Sequence, residues 1–291
     1  RRAVSDGRRH RRRADARRLT GTVVERPPVA VNPSGVRSDL YRKPRQTPGV
    51  TLVPFSDLAR AAYCPRQLYY RRRDDDRGVP ATARARIDLA FRYDELADAP
   101  DDVLRRTPLR RSPAAYRRNV ARLRERDDYD ALVDPTREER ALAGKDCHGT
   151  AHKILEPSGP TADADSPGDD SPDADRSDDG ESPPVPTLVS PGDPPETGVW
   201  EPQAVRAGPI AQALAWERGR EVPRALVEYP AAGVVRDVRL TVRKTATYRR
   251  ALRAVRAIDG PPARVDDGRC DDCEYAAECG TRRRSLRSLL P

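Results

Sequence analysis

The sequence has no methionine, two phenylalanines and two tryptophans, and aromatic residues make up only 5% of its 291 positions. So few large apolar side chains confine any packed core to part of the length. No apolar run approaches the roughly 20 residues that a membrane-spanning helix needs. The arginine-rich start also lacks the apolar stretch of a secretory signal. Because the chain opens on Arg1 without a methionine anywhere, it is expected to be a fragment or a chain trimmed at its start. Lysine is scarce too, at Lys43, Lys145, Lys153 and Lys244, so the 55 basic residues are almost all arginine.

What is abundant is charge and proline: 35% of residues are charged and 29 are proline, with a formal net charge of +9. Arginine presents a bidentate fork that matches phosphate, which makes a polyanion the natural partner. A compositional bias shared with Ala, Pro, Gly and Asp accounts for arginine over lysine. It does not account for the positive sign, because aspartate is enriched as well. Net charge of this kind speaks to nucleic-acid affinity and not to fold.

Residues 1–50 carry arginine runs and then prolines with no helical or strand period, so they read as a disordered basic tail. Order is expected from Val53 onward, over 51–291. Ser56-Asp57 ahead of Leu58, Ala59, Ala62 and Tyr63 predicts a capped short helix with Cys64 at its end, and Pro65 suits the start of a following turn. Residues 80–133 read as charged helices with a sparse apolar stripe, broken by Pro100, Pro108 and Pro113. A strand is expected towards Leu155, then a disordered acidic insert over 157–184, then a strand at Val185–Ser190. A helix over 203–219, a β-hairpin over Ala225–Thr241 and a basic helix from Arg243 to Ile258 complete the order, which points to an α/β core.

Four of the five cysteines form the most specific pattern. Cys64 stands alone in Tyr63-Cys64-Pro65-Arg66, and Cys270, Cys273 and Cys279 form a Cys-x2-Cys-x5-Cys trio near the end. Without a secretory signal, clustered cysteines read as metal ligands and not as disulfides, which places the chain in the cytoplasm. A remote fourth thiolate closes a very long loop, where a clip removes much chain entropy. Four thiolates suit a [4Fe–4S] cluster or a structural zinc.

The Phe55-Ser56…Tyr63-Cys64-Pro65-Arg66…Tyr69 start and the cysteine trio resemble the RecB-like iron–sulfur exonucleases of the CRISPR-associated kind. That resemblance covers roughly residues 53–280 without the insert. It implies a PD-(D/E)XK nuclease core with a helical N-terminal part, stapled by a [4Fe–4S] cluster on Cys64, Cys270, Cys273 and Cys279. It further implies DNA as partner, single-stranded or at ends, together with proteins of CRISPR adaptation, and Mg²⁺ or Mn²⁺ wherever the nuclease site is functional. Gln212-Ala213-Leu214-Ala215-Trp216 is similar to the family's Gln-x3-Tyr helix motif, with Trp216 for Tyr.

The family's carboxylates are missing where its pattern would put them. In Gly149-Thr150-Ala151-His152, His152 takes the place of Asp in Gly-x-x-Asp. Leu188 and Ser190 take the places of Glu and Lys in Glu-x-Lys. A hard cation wants oxygen ligands, so these replacements remove most of its site. Three other arrangements are open in the sequence. Cys147, His148 and His152 form a second metal-type cluster or a packed histidine pair beside an idle thiol. Asp146, Glu156 and Glu201 are candidates to rebuild an acidic site. Arg243, Arg249, Arg250, Arg253 and Arg256 give either a solvated helix face or a phosphate-tracking one. Trp200 and Trp216 are expected in the core, and Glu228 in Val227-Glu228-Tyr229-Pro230 reads as a decoy of the Glu-x-Lys strand.

Overall fold

The computed structural model describes residues 51–74, 78–156, 182–265 and 267–280. The basic tail expected over 1–50, and the insert up to residue 181, lie outside the described residues.

A two-residue strand β1 (Val53–Pro54) leads straight into α1 (Phe55–Tyr63). Phe55, Leu58 and Ala61 recur at helical spacing and are its buried positions. The expected Ser56-Asp57 cap is not how this helix starts. It begins at Phe55 behind Pro54, which offers no side-chain cap. Asp57 instead takes the Arg72 guanidinium at 3.0 and 2.9 Å. Cys64 breaks the helix with extended backbone (φ −160°, ψ 112°), and Pro65 opens α2 (Pro65–Arg71), where a missing N–H costs nothing. Both features match the sequence pattern.

Short helices follow: α3 (Ala81–Ile87), α4 (Tyr93–Ala97), α5 (Asp101–Arg106), α6 (Pro113–Arg124) and α7 (Tyr129–Val133). Pro100 and Pro113 mark helix starts, and Ser112 caps α6 by accepting from the Ala115 N–H at 3.4 Å. Next come β2 (Arg137–Ala143), β3 (Cys147–Leu155) and β4 (Val185–Val189). The long helix α8 (Glu201–Arg218) ends on Gly219 in the left-handed conformation (φ +67°). Strands β5 (Arg224–Tyr229) and β6 (Val234–Arg239), helix α9 (Val242–Arg256) and the short α10 (Ala276–Cys279) finish the described chain. The sequence did not reveal β2, because its Arg-Glu-Glu-Arg run is exposed and shows no alternation.

The strands build one mixed sheet in the order β1-β3-β4-β5-β6, with β2 also on β3. β3 runs antiparallel to both β2 and β4, α8 carries the chain across to β5 parallel with β4, and β6 closes the hairpin. Helices α1, α8 and α9 cover one face, with Leu58, Ala151, Leu188, Ile210, Leu214, Val227 and Leu252 at the centre of that core. The other face is packed by Tyr93, Leu123, Tyr129 and Leu132 against Leu155, Leu226 and Val235. The fold is therefore mixed α/β.

One glycine sets the approach of α1 to the sheet. At Gly149 (φ +152°) an added Cβ would lie 2.6 Å from the Phe55 ring, so only hydrogen fits between strand and helix there.

Candidate functional site

The C-terminal trio folds back onto the end of α1. Tyr63 Oη donates to the Arg269 carbonyl at 3.4 Å, and Arg269 returns a bond to the Tyr63 carbonyl. Arg66 donates to the Pro262 carbonyl at 2.6 Å, and Tyr70 to the Glu278 carbonyl at 3.1 Å. The Tyr70 and Tyr275 rings stack with centroids 5.8 Å apart, and Tyr275 Oη donates to Asp74 at 2.9 Å. These contacts span about two hundred positions of sequence and bring Cys64 to the trio.

The thiols register that closeness. Burial pushes Cys273 up, the Tyr275 backbone N–H opposes it, and Cys64, Cys270 and Cys279 push it further. All four are half-buried free cysteines. Arg66 faces Cys279, and Arg269 acts on Cys64, so the junction carries positive charge where thiolates would stand. Among the described residues, no group of three or more His, Cys, Asp or Glu side chains is closed tightly enough to hold a metal ion. By donor chemistry, four converging thiols beside guanidinium groups fit either an iron–sulfur cluster or zinc.

The second locus lies on the sheet face under α1 and α8. β2 pairs along one edge of β3 from His148 to Ile154, so β1 and β4 must share the other edge. β1 takes its start, at Cys147 and His148, and β4 its end, at Lys153–Leu155. Between them, β3 and β4 diverge at His152. There a side chain replaces the ladder: the Val189 N–H donates to His152 Nδ1 at 3.1 Å. Alternation along β3 slips at the same point. Ala151 and Ile154, three apart, both join the α8-side core, whereas Lys153 turns to the other layer. Glu139, opposite His152 by register, adopts φ +44°, and no ladder pairing forms there.

Continuing the β3–β4 register sets Leu188 across from His152. Leu188 is buried in the core, and Ser190 follows at the end of β4. Ser190 meets Gln203, whose Nε2 donates to Ser190 Oγ at 3.4 Å. One turn further along α8 stands Arg206, whose Nε is buried without a partner, as is Gln203 Oε1. Burial first and Arg60 second pull the Arg206 guanidinium down to about 10. Burial, then Arg206 and Lys153, hold the His152 imidazole at about 3. With Nδ1 accepting a backbone N–H, the neutral ring carries its proton on Nε2. Leu188, Ser190 and a histidine used as a strand staple do not fit a hard divalent cation.

Several candidates part company in space. Gln212 does not join His152, and Trp216, expected in the core, is half-buried near the end of α8. Gln212 lines a crevice with Gly208, Val238 and Tyr248 on the side of α8 towards α9, and Gln203, two turns earlier, is the glutamine that reaches Ser190. Cys147 is buried against Tyr248 (Sγ···Oη 3.4 Å), and burial lifts its thiol to about 11, while His148 is exposed. The three therefore make no common site. Asp146 pairs with Arg256 at 2.9 Å before β3, Glu156 pairs with Arg218 after it, and Glu201 is exposed at the start of α8. These acids do not rebuild an acidic centre. Trp200, expected in the core, is 52% exposed and donates to the Asp193 carbonyl.

Glu228 lies on the opposite face of the sheet and is fully buried. Its Oε2 accepts from Lys153 Nζ at 3.0 Å and Tyr93 Oη at 3.1 Å, and its Oε1 from Thr187 at 2.6 Å. Lys153 spends its other two donors on the Ala90 and Leu132 carbonyls at 2.6 and 2.8 Å. Every polar group of the pair is matched and both side chains are fully buried, so it braces the sheet.

A third locus is the basic helix. Along α9 there is no acidic residue, and Arg249 and Arg253, four apart, line an open groove of about 560 Å³ with Thr241, Val242 and Thr245. Neither guanidinium has an ion pair or hydrogen bond with a described residue, unlike those of Arg256 and many arginines elsewhere. Sequence reasoning named these arginines but missed Gln203 and Arg206. The Gln203-x-x-Arg206 spacing beside the end of β4 was the available sign, hidden in a chain full of arginine. Compared with protein-family models and with curated protein sequences, the chain matches none.

Proposed function

We propose that this chain is a DNA-binding iron–sulfur protein of the RecB-like, CRISPR-associated exonuclease kind, with a PD-(D/E)XK core that no longer cuts. The observation that carries the reading is the sheet face at His152. A β-meander, crossover helix and parallel strand surround His152, Leu188 and Ser190, the positions that the resemblance matches to the family's catalytic residues, and Arg206 lies beside them. The gathering of Cys64 with Cys270, Cys273 and Cys279 supports a [4Fe–4S] staple, and the unpaired arginines of α9 supply a phosphate-tracking surface. Mg²⁺ and Mn²⁺ have no role in this reading, because among the described residues no carboxylates stand beside His152 to hold them. No described helix is long and apolar enough to cross a membrane. Five free thiols accord with a cytoplasmic setting, where proteins of CRISPR adaptation would be its partners.

The test is direct. Protein purified without oxygen should be brown, carry about four irons per chain, and bind labelled single-stranded DNA in a salt-sensitive way without degrading it in Mg²⁺ or Mn²⁺. Metal-dependent degradation that survives purification to homogeneity would return the chain to the nucleases. A colourless, zinc-only protein would replace the cluster by a zinc staple.

A further inference from the structure

We propose that the side-chain cluster under α1 and α8 is a phosphate site, in which Arg206 is the principal ligand and Ser190, Gln203, His152 and Arg60 assist. A desolvated guanidinium with no carboxylate acting on it is unfavourable in a folded protein unless something neutralises it. Arg206 approaches that position: the residue is half-buried, its Nε is buried and orphaned, its guanidinium makes no hydrogen bond or ion pair with a described residue, and its charged neighbour is another arginine. Arg60 is only loosely engaged, 3.9 Å from Glu274.

The remaining groups also point to an anion. His152 has committed Nδ1 to Val189, which leaves Nε2–H as a donor. Ser190 brings a hydroxyl and Gln203 an amide. The orphaned Gln203 Oε1 is the exception, and it suits a water or the O–H of a protonated phosphate. A planar fork flanked by neutral donors recognises a tetrahedral oxyanion, and arginine binds phosphate bidentately. The cluster stands on its own geometry and does not require the DNA reading: free phosphate, a terminal phosphomonoester and a backbone phosphodiester share the chemistry.

The experiment uses the full chain, purified without oxygen, and follows thermal unfolding against inorganic phosphate, with chloride matched for ionic strength. Phosphate should raise the unfolding temperature of the wild type. Arg206→Met, close in volume and uncharged, should fold at least as stably without phosphate and lose at least about tenfold in phosphate affinity. Ser190→Ala, a milder change, should lose a few-fold. Arg105→Ala, on the exposed face of α5 where it pairs with Asp101, should respond like the wild type. A second arm compares oligonucleotides with and without a 5′ phosphate. Preference for the phosphorylated end, lost in Arg206→Met, assigns the cluster to DNA termini. A phosphate response without that preference assigns it to free phosphate, so the site stands even if the protein binds no DNA. A response equal in wild type and Arg206→Met, or none in the wild type, overturns the site.

Discussion

Replacing Lys153 by methionine removes the one cation that Glu228 has among the described residues and leaves a carboxylate enclosed between the sheet and the α4–α7 layer. Lys153 spends all three ammonium protons inside the protein, on Ala90, Leu132 and Glu228, and its Nζ lies 5.0 and 5.2 Å from the Phe91 and Tyr93 ring centres. Both partners of the ion pair are fully inaccessible to solvent. Breaking a buried pair from one side costs about 3–5 kcal/mol, because the other charge stays buried without compensation. For a domain of this size that is a fall of roughly 6–20 °C in unfolding temperature. The double variant Lys153→Met/Glu228→Gln should regain part of the loss, since a neutral amide still serves Thr187 and Tyr93. Urea unfolding of the four proteins in the cycle gives the coupling directly, and it should exceed about 1 kcal/mol. Additive single effects, or a Lys153→Met loss under about 1 kcal/mol, would show that the pair does not brace the sheet as argued.

Other expectations follow from the same geometry. Cys273→Ala should strip the metal centre and loosen the Tyr63–Arg269 and Tyr70–Glu278 contacts, read as bleached iron absorbance and faster proteolysis after residue 260; unchanged iron would misassign the ligand. His152 sits at about 3 in the fold against 6.5 in the open chain. Its contribution is therefore complete above about pH 6.5 and is lost as pH falls from there towards 3, with a slope of at most about 1.4 kcal/mol per pH unit. His152→Asn should flatten that part of the urea-midpoint profile, and an unchanged slope would refute the staple. Replacing Arg249 and Arg253 by glutamine should lower the salt slope of single-stranded DNA binding by about 0.7 for each phosphate the two arginines neutralise, and an unaltered slope would show that α9 does not touch the strand. Gly149→Ala should cost about 1–3 kcal/mol through the clash with Phe55, and Phe55→Leu should recover part of it.

Local chemistry made much of this legible in the chain itself. The helix ending at Cys64, the restart at Pro65, the breaks at Pro100 and Pro113, the hairpin and the basic α9 all follow from proline geometry and periodicity, which act over a few residues. The cysteine spacing likewise suggested that Cys64 meets the C-terminal trio, and the Tyr63 and Tyr70 contacts bring them near each other. Folding alone decided the rest. Lys153 and Glu228, 75 positions apart, become one buried pair only because β3, β4 and β5 lie side by side. Gln203 and not Gln212 reaches the end of β4, since the helix crosses the sheet at its first turns. Among so many arginines, the sequence could not single out Arg206, because its character comes from the water it has lost and the carboxylate it does not meet, and both are properties of packing.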